Sequence, residues 1–97
     1  MIEHIALLKF SQDTTTEQKE ELIRKTLALQ EIIPGIIDIQ QGMNFSSRSK
    51  GYDMGLTVRF KDQTALEHYG PHPAHQEVVQ YLKQIGIKDS IFVDFEI

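Results

Sequence analysis

Three of the four histidines in this chain fall inside one eight-residue run, His68-Tyr69-Gly70-Pro71-His72-Pro73-Ala74-His75, and the fourth, His4, stands in the opening apolar stretch. Imidazole titrates near neutral pH without special tuning, so histidines brought together are candidates for proton transfer. Pro73 sets the local geometry. Its fixed φ and missing N–H suit the first position of a helix, which puts His72 at the N-cap and His75 in the first turn. The positive end of the helix dipole there favours a neutral ring that donates from one nitrogen and accepts at the other. On this reading His75 is the acid/base on a small carbonyl or aromatic substrate, and Tyr69 or His4 donates to the developing oxyanion.

Two other readings stand beside it. His4 projects from a strand face otherwise made of Ile2, Ala6, Leu8 and Phe10, and if buried it needs a hydrogen-bond partner. His4 and His75 would then bond each other, or a backbone carbonyl, and tie the last helix to the sheet. A metal site is the third reading, with His72 and His75 at i and i+3 and His68 or His4 as a further ligand. No compact His/Asp/Glu signature accompanies that spacing, so no metal and no cofactor are expected.

The elements that must position these residues follow from periodicity. Residues 2–10 alternate, with Ile2, His4, Ala6, Leu8 and Phe10 on one face and Ile5, Leu7 and Lys9 on the other, which predicts a central strand. Thr14-Thr15-Thr16-Glu17 predicts a capping box closed by Glu17, and a helix to about Ile33 with Leu22, Ile23, Thr26, Leu27, Gln30 and Ile33 inward. Pro34-Gly35 ends it. Strands are predicted over 36–43, 52–60 and 91–95, and helices from Ala65 to Tyr69 and from Pro73 to Gln84, the last with Val78, Val79 and Leu82 inward. Strand, helix, strand, strand, helix, strand is the split βαβ order. It predicts an α+β, ferredoxin-like protomer with a four-stranded antiparallel sheet and helices on one face. The other face, carrying Ile5 and Leu7, then lacks cover, and a twofold sheet-to-sheet homodimer through Ile5, Leu7, Thr57 and Arg59 is the simplest closure.

Composition narrows the function classes. With 97 residues the chain makes one domain. A formal charge of -4, with scattered basic residues, argues against nucleic acid. The chain has no cysteine, which excludes disulfides, thiolate metal sites and cysteine nucleophiles. Neither a signal peptide nor a membrane span is recognisable, so a soluble, cytoplasmic protein without a membrane partner is expected.

Ile2-Glu3-His4-Ile5-Ala6-Leu7-Leu8-Lys9-Phe10, Ile32-Ile33-Pro34-Gly35, Lys50-Gly51-Tyr52-Asp53, the Tyr69 to His75 run and Phe92-Val93-Asp94-Phe95 resemble, in that order, the stress-responsive dimeric α/β-barrel (Dabb) domain over essentially the whole chain. The resemblance implies one such domain over residues 1–97 and a dimer with sheets face to face. The family includes plant stress-associated proteins and a polyketide cyclase that performs an intramolecular aldol condensation. In the cyclase-like member the pocket lies between sheet and helices. Carried over by motif, its first-strand histidine matches His4, its tyrosine matches Tyr69 and its acid/base histidine matches His75. A third-strand histidine of that pocket is Met54 here and a first-helix tyrosine is Thr26, so the same substrate is not expected. The lining implied for this chain is Leu8, Ile23, Thr26, Leu27, Met54, Leu56 and Val78. Such a pocket takes a small, flat hydrophobic or carbonyl compound, with cofactor-free cyclase-, lyase- or isomerase-type chemistry. The alternative is a noncatalytic stress-associated dimeric scaffold.

Overall fold

The computed structural model describes all 97 residues. Strand β1 (Ile2–Phe10) leads to helix α1 (Thr16–Leu27), which tightens into a 3-10 turn over Ala28–Glu31. Strands β2 (Ile36–Met43) and β3 (Met54–Phe60) follow, then helices α2 (Gln63–Tyr69) and α3 (Pro73–Ile85) and strand β4 (Ile87–Glu96). The strands lie in the order β2-β3-β1-β4 with every neighbouring pair antiparallel, so β1 is central as its two apolar faces require. This is the ferredoxin-like βαββαβ fold, with its second helical segment split in two at Gly70.

Local rules explain most element ends. The α1 N-cap is Thr15, and Gln18, not Glu17, completes the box: the Gln18 amide donates to the Thr15 hydroxyl while Gln18 Oε1 accepts from the Thr15 N–H. One residue of offset decides this, because Thr14 is engaged elsewhere. Its buried hydroxyl donates to the Ile85 carbonyl and links the α1 approach to the end of α3. That end is capped by Gly86 at φ 104, a left-handed geometry that suits glycine.

The inner stripe of α1 also differs from the expected one. Leu22, Thr26, Leu29 and Ile33 are buried, whereas Leu27 is 40% exposed. Steps of four, three and four residues follow one helical face, and Leu27 stands about 100° away from Thr26. Strand β3 begins at Met54 rather than Tyr52, whose hydroxyl reaches sideways to Asp89 at 2.7 Å. Strand β4 begins four residues before the expected Ile91. Lys88, Asp89 and Ser90 mask it in the sequence, and an edge strand tolerates such polar residues because solvent reaches them.

The helices cover the face carrying Ile2, Ala6, Leu8 and Phe10. Beneath them the core forms two clusters, one around Val58, Phe60, Ile33 and Tyr69, the other around Leu8, Met54, Leu22 and Ile85. Val78 of α3 packs against both. The opposite face stays open, with Leu7, Ile91, Val93 and Phe95 between 36% and 48% exposed. Ile5 and Thr57 are paired partners on that face, and Arg59 Nε donates to Glu3 Oε1 there at 3.0 Å.

Candidate functional site

A cavity of about 350 Å³ opens where the two core clusters meet. Its floor follows from strand register. Gln41, Leu56, Ala6 and Phe92 form one row across β2, β3, β1 and β4, and the neighbouring row ends in Val58, His4 and Asp94. Ala6 is the small side chain that leaves the hollow. Leu66 and Tyr69 of α2 and His75, Val78, Val79 and Leu82 of α3 close it from above.

The Tyr69–His75 end of α2 and α3 is built as the Pro73 argument requires. His72 is the N-cap, its Nδ1 accepting from the Ala74 N–H at 3.1 Å, and Pro73 opens α3. His75 lies in the first turn with its Nδ1 on the Gly70 carbonyl at 2.9 Å. A carbonyl only accepts, so Nδ1 carries the proton and the neutral ring keeps a lone pair at Nε2. Burial holds the His75 pKa below its ordinary 6.5, against the opposing effect of the Gly70 hydrogen bond, and positive charge on His4 or His72 would lower it further.

Tyr69 joins the two histidines. Its ring centroid is 4.2 Å from that of His75 and 6.1 Å from that of His4. Burial pushes its phenol up to about 12, so the hydroxyl stays a donor across the physiological range. His4 and His75 are not bonded to each other. Instead His4 Nδ1 donates to Asp94 Oδ1 at 2.5 Å, and its ring stacks on Phe92 with centroids 5.8 Å apart. The carboxylate fixes the His4 tautomer with the proton on Nδ1, so its Nε2 carries a lone pair.

Of the expected lining, Leu8, Thr26, Leu56 and Val78 do line the cavity, whereas Ile23, Leu27 and Met54 do not. Met54 is wholly buried under it, and Ile23 packs beside the second cluster. The Thr26 hydroxyl is turned back onto the Leu22 carbonyl at 2.8 Å. Asp94, Gln41, Ser90 and Lys83 were missed by sequence reasoning. Alternation with Phe92 was the available signal for Asp94, since it puts both on one face of β4. His68 is exposed and His72 is spent on its cap; no three His, Asp or Glu side chains converge as metal ligands.

A family model, the Dabb Stress responsive A/B Barrel Domain, matches residues 2–97. The chain belongs to the Dabb family. Over 76 residues, spanning 76% of this Dabb chain and 75% of the relative, it is 33% identical to olivetolic acid cyclase of Cannabis sativa. A dimeric ferredoxin-like protein of unknown function from Jannaschia sp. superposes with a TM-score of 0.84 at 24% identity, over 99% of this chain and 98% of that one. A hydroxynitrile lyase from Passiflora edulis superposes at 0.86 with 14% identity, over 97% and 90%. At these identities the two structures establish the Dabb fold, and the enzyme names belong to the relatives.

Proposed function

We propose that this Dabb protein is a homodimer whose cavity binds a small, flat, largely apolar carbonyl compound and moves a proton on it without a cofactor. One observation carries the reading. A free imidazole nitrogen of His75 and a phenol of Tyr69 that makes no hydrogen bond within the chain stand together in a largely apolar cavity. His75 Nε2 takes a proton from the carbon beside the carbonyl, the electron pair moves onto oxygen, and the Tyr69 hydroxyl donates to that oxyanion. His4, its Nδ1–H given to Asp94, offers only an acceptor at Nε2 and can take a hydrogen bond from a ligand hydroxyl. Return of the proton to another atom gives an isomerase-type outcome, attack of the carbon on a second carbonyl a cyclase-type one, and expulsion of a leaving group from the next carbon, the electron pair falling back from the oxyanion, a lyase-type one; the latter two are in keeping with the names of the two enzymes it resembles. Dimerisation is supported by the open apolar face of β1 and β4 and by the dimeric Jannaschia protein.

A noncatalytic scaffold is the second reading. It is favoured by the local use of three Nδ1 atoms, those of His4, His72 and His75, in bonds that brace the fold.

Fluorescence titration with 2-acetonaphthone, a flat apolar ketone, together with deuterium exchange of its methyl hydrogens, separates the two. The expected result is saturable binding that weakens about tenfold in Tyr69→Phe, which loses the donor to the ketone oxygen, and exchange of the ketone's methyl hydrogens for deuterium that is lost in His75→Ala with melting and dimer mass little changed. Unaltered exchange in His75→Ala, together with a stability loss in each of His4→Ala and His75→Ala, would leave the histidines as braces.

A further inference from the structure

Gln41 is the one residue of the chain with a buried side-chain polar atom that has no hydrogen-bond partner, and it lines the cavity. Its Oε1 is unserved, while its Nε2 is turned onto the Met54 sulfur at 2.9 Å, and a thioether is a weak acceptor. Both ends of a strongly polar amide are thus poorly matched, in a place where Leu or Met would fit the surrounding Leu56, Met54 and Thr26. A buried amide of this kind is a cost to the free protein unless something else completes it.

The register says where that something would lie. Gln41 is on β2 and pairs with Leu56, which pairs with Ala6 of β1, so Gln41 stands two strands away from the strand that bears His4. At a strand spacing of about 4.8 Å this is roughly 10 Å across the floor. A flat ligand with its carbonyl at Tyr69 and His75 therefore brings its far end toward Gln41. As the side chain stands Oε1 is sealed from the cavity, so a bond to a ligand takes a turn of the amide off the Met54 sulfur, and a hydroxyl suits best, because it both donates and accepts and so satisfies whichever end of the amide turns inward.

We propose that Gln41 is a specificity-determining residue, and that the cavity selects ligands carrying a hydroxyl at the end remote from the carbonyl. This rests on the cavity being a ligand site, and it adds a second polar anchor to the Tyr69–His75 end. A site built to bond a hydroxyl rejects the analogue that lacks one, since its own polar group is then left buried and unpaired.

The test compares 6-hydroxy-2-acetonaphthone with 2-acetonaphthone on the wild-type protein and on Gln41→Leu. Wild type should bind the hydroxylated probe about tenfold more tightly. In Gln41→Leu that preference should fall to less than about twofold with 2-acetonaphthone bound at least as well, and the ligand-free variant should melt no lower than wild type, because an apolar group of similar shape replaces an unpaired amide. A hydroxyl preference that is absent in wild type, or that survives in Gln41→Leu, would overturn the proposal while leaving the cavity reading intact. A Gln41→Leu protein melting several degrees lower would show the amide already serving the fold, and would overturn it too. If wild type binds neither probe, the cavity reading falls and this inference with it.

Discussion

The two faces of one sheet are made by the same strands and the same alternation, yet they depart from the ordinary rule in opposite directions. On the helix-covered face, where apolar groups are the norm, Val58, Phe60 and Met54 are wholly buried, but His4 and Gln41 interrupt the pattern. On the open face, where polar groups are the norm, Leu7, Ile91, Val93 and Phe95 crowd together. Polar groups where hydrophobes belong mark a site, and hydrophobes where polar groups belong mark an association surface. On the proposed function, it is the exceptions to burial on each face that act, and β1 carries both kinds.

The largest effect should come from the open face. Leu7→Lys brings a charge from each protomer into an apolar interface, so sedimentation velocity at micromolar concentration should show the dimer lost. An unchanged dimer would put the interface elsewhere and break the comparison. On the covered face, Phe60→Ala empties the tightest part of the core next to His4 and Tyr69. A destabilisation of about 3–5 kcal/mol in denaturant unfolding is expected, and one below about 1 kcal/mol would mean that face is far less tightly packed than its burial implies.

The smallest effect concerns pH and sharpens the account of the polar exceptions. His75 titrates below its ordinary 6.5 in the folded chain and regains that value on unfolding. Above 6.5 both states hold a neutral ring, and the contribution to stability is complete. As pH falls from 6.5 toward the folded value, the unfolded chain takes up a proton that the folded chain resists, so stability is lost. Melting curves between pH 7 and pH 5 should therefore drop more steeply for wild type than for His75→Gln, and equal slopes would show that burial does not hold the ring neutral. Tyr69, pushed up to about 12, should add no alkaline loss below about pH 10.

Much of this was legible in the chain. The alternation of β1 showed both faces, and the Pro73 rule placed His72 at its cap and His75 in the first turn. The bounds of β2 were as expected, Ile36–Met43. The errors cluster where one residue of offset matters, as at Thr14 and Thr15, or where a helical stripe had to be chosen among neighbouring apolar residues, as at Leu27. The polar residues of the cavity were the least legible. Gln41 sits in the polar-looking run Asp38-Ile39-Gln40-Gln41, and nothing local distinguishes it from Gln40, which faces the open side.

By itself the sequence determined the features that depend on neighbours a few residues apart: strand alternation, helix caps, the stop at Pro34-Gly35 and the short spacing of the histidine run. Only the tertiary structure decided which of these residues share a site. His4 and Asp94 are 90 positions apart, and their pairing exists because β4 docks antiparallel beside β1 in one register. Shifting that register by a single residue would turn Asp94 to the open face, since successive side chains in a strand point to opposite sides.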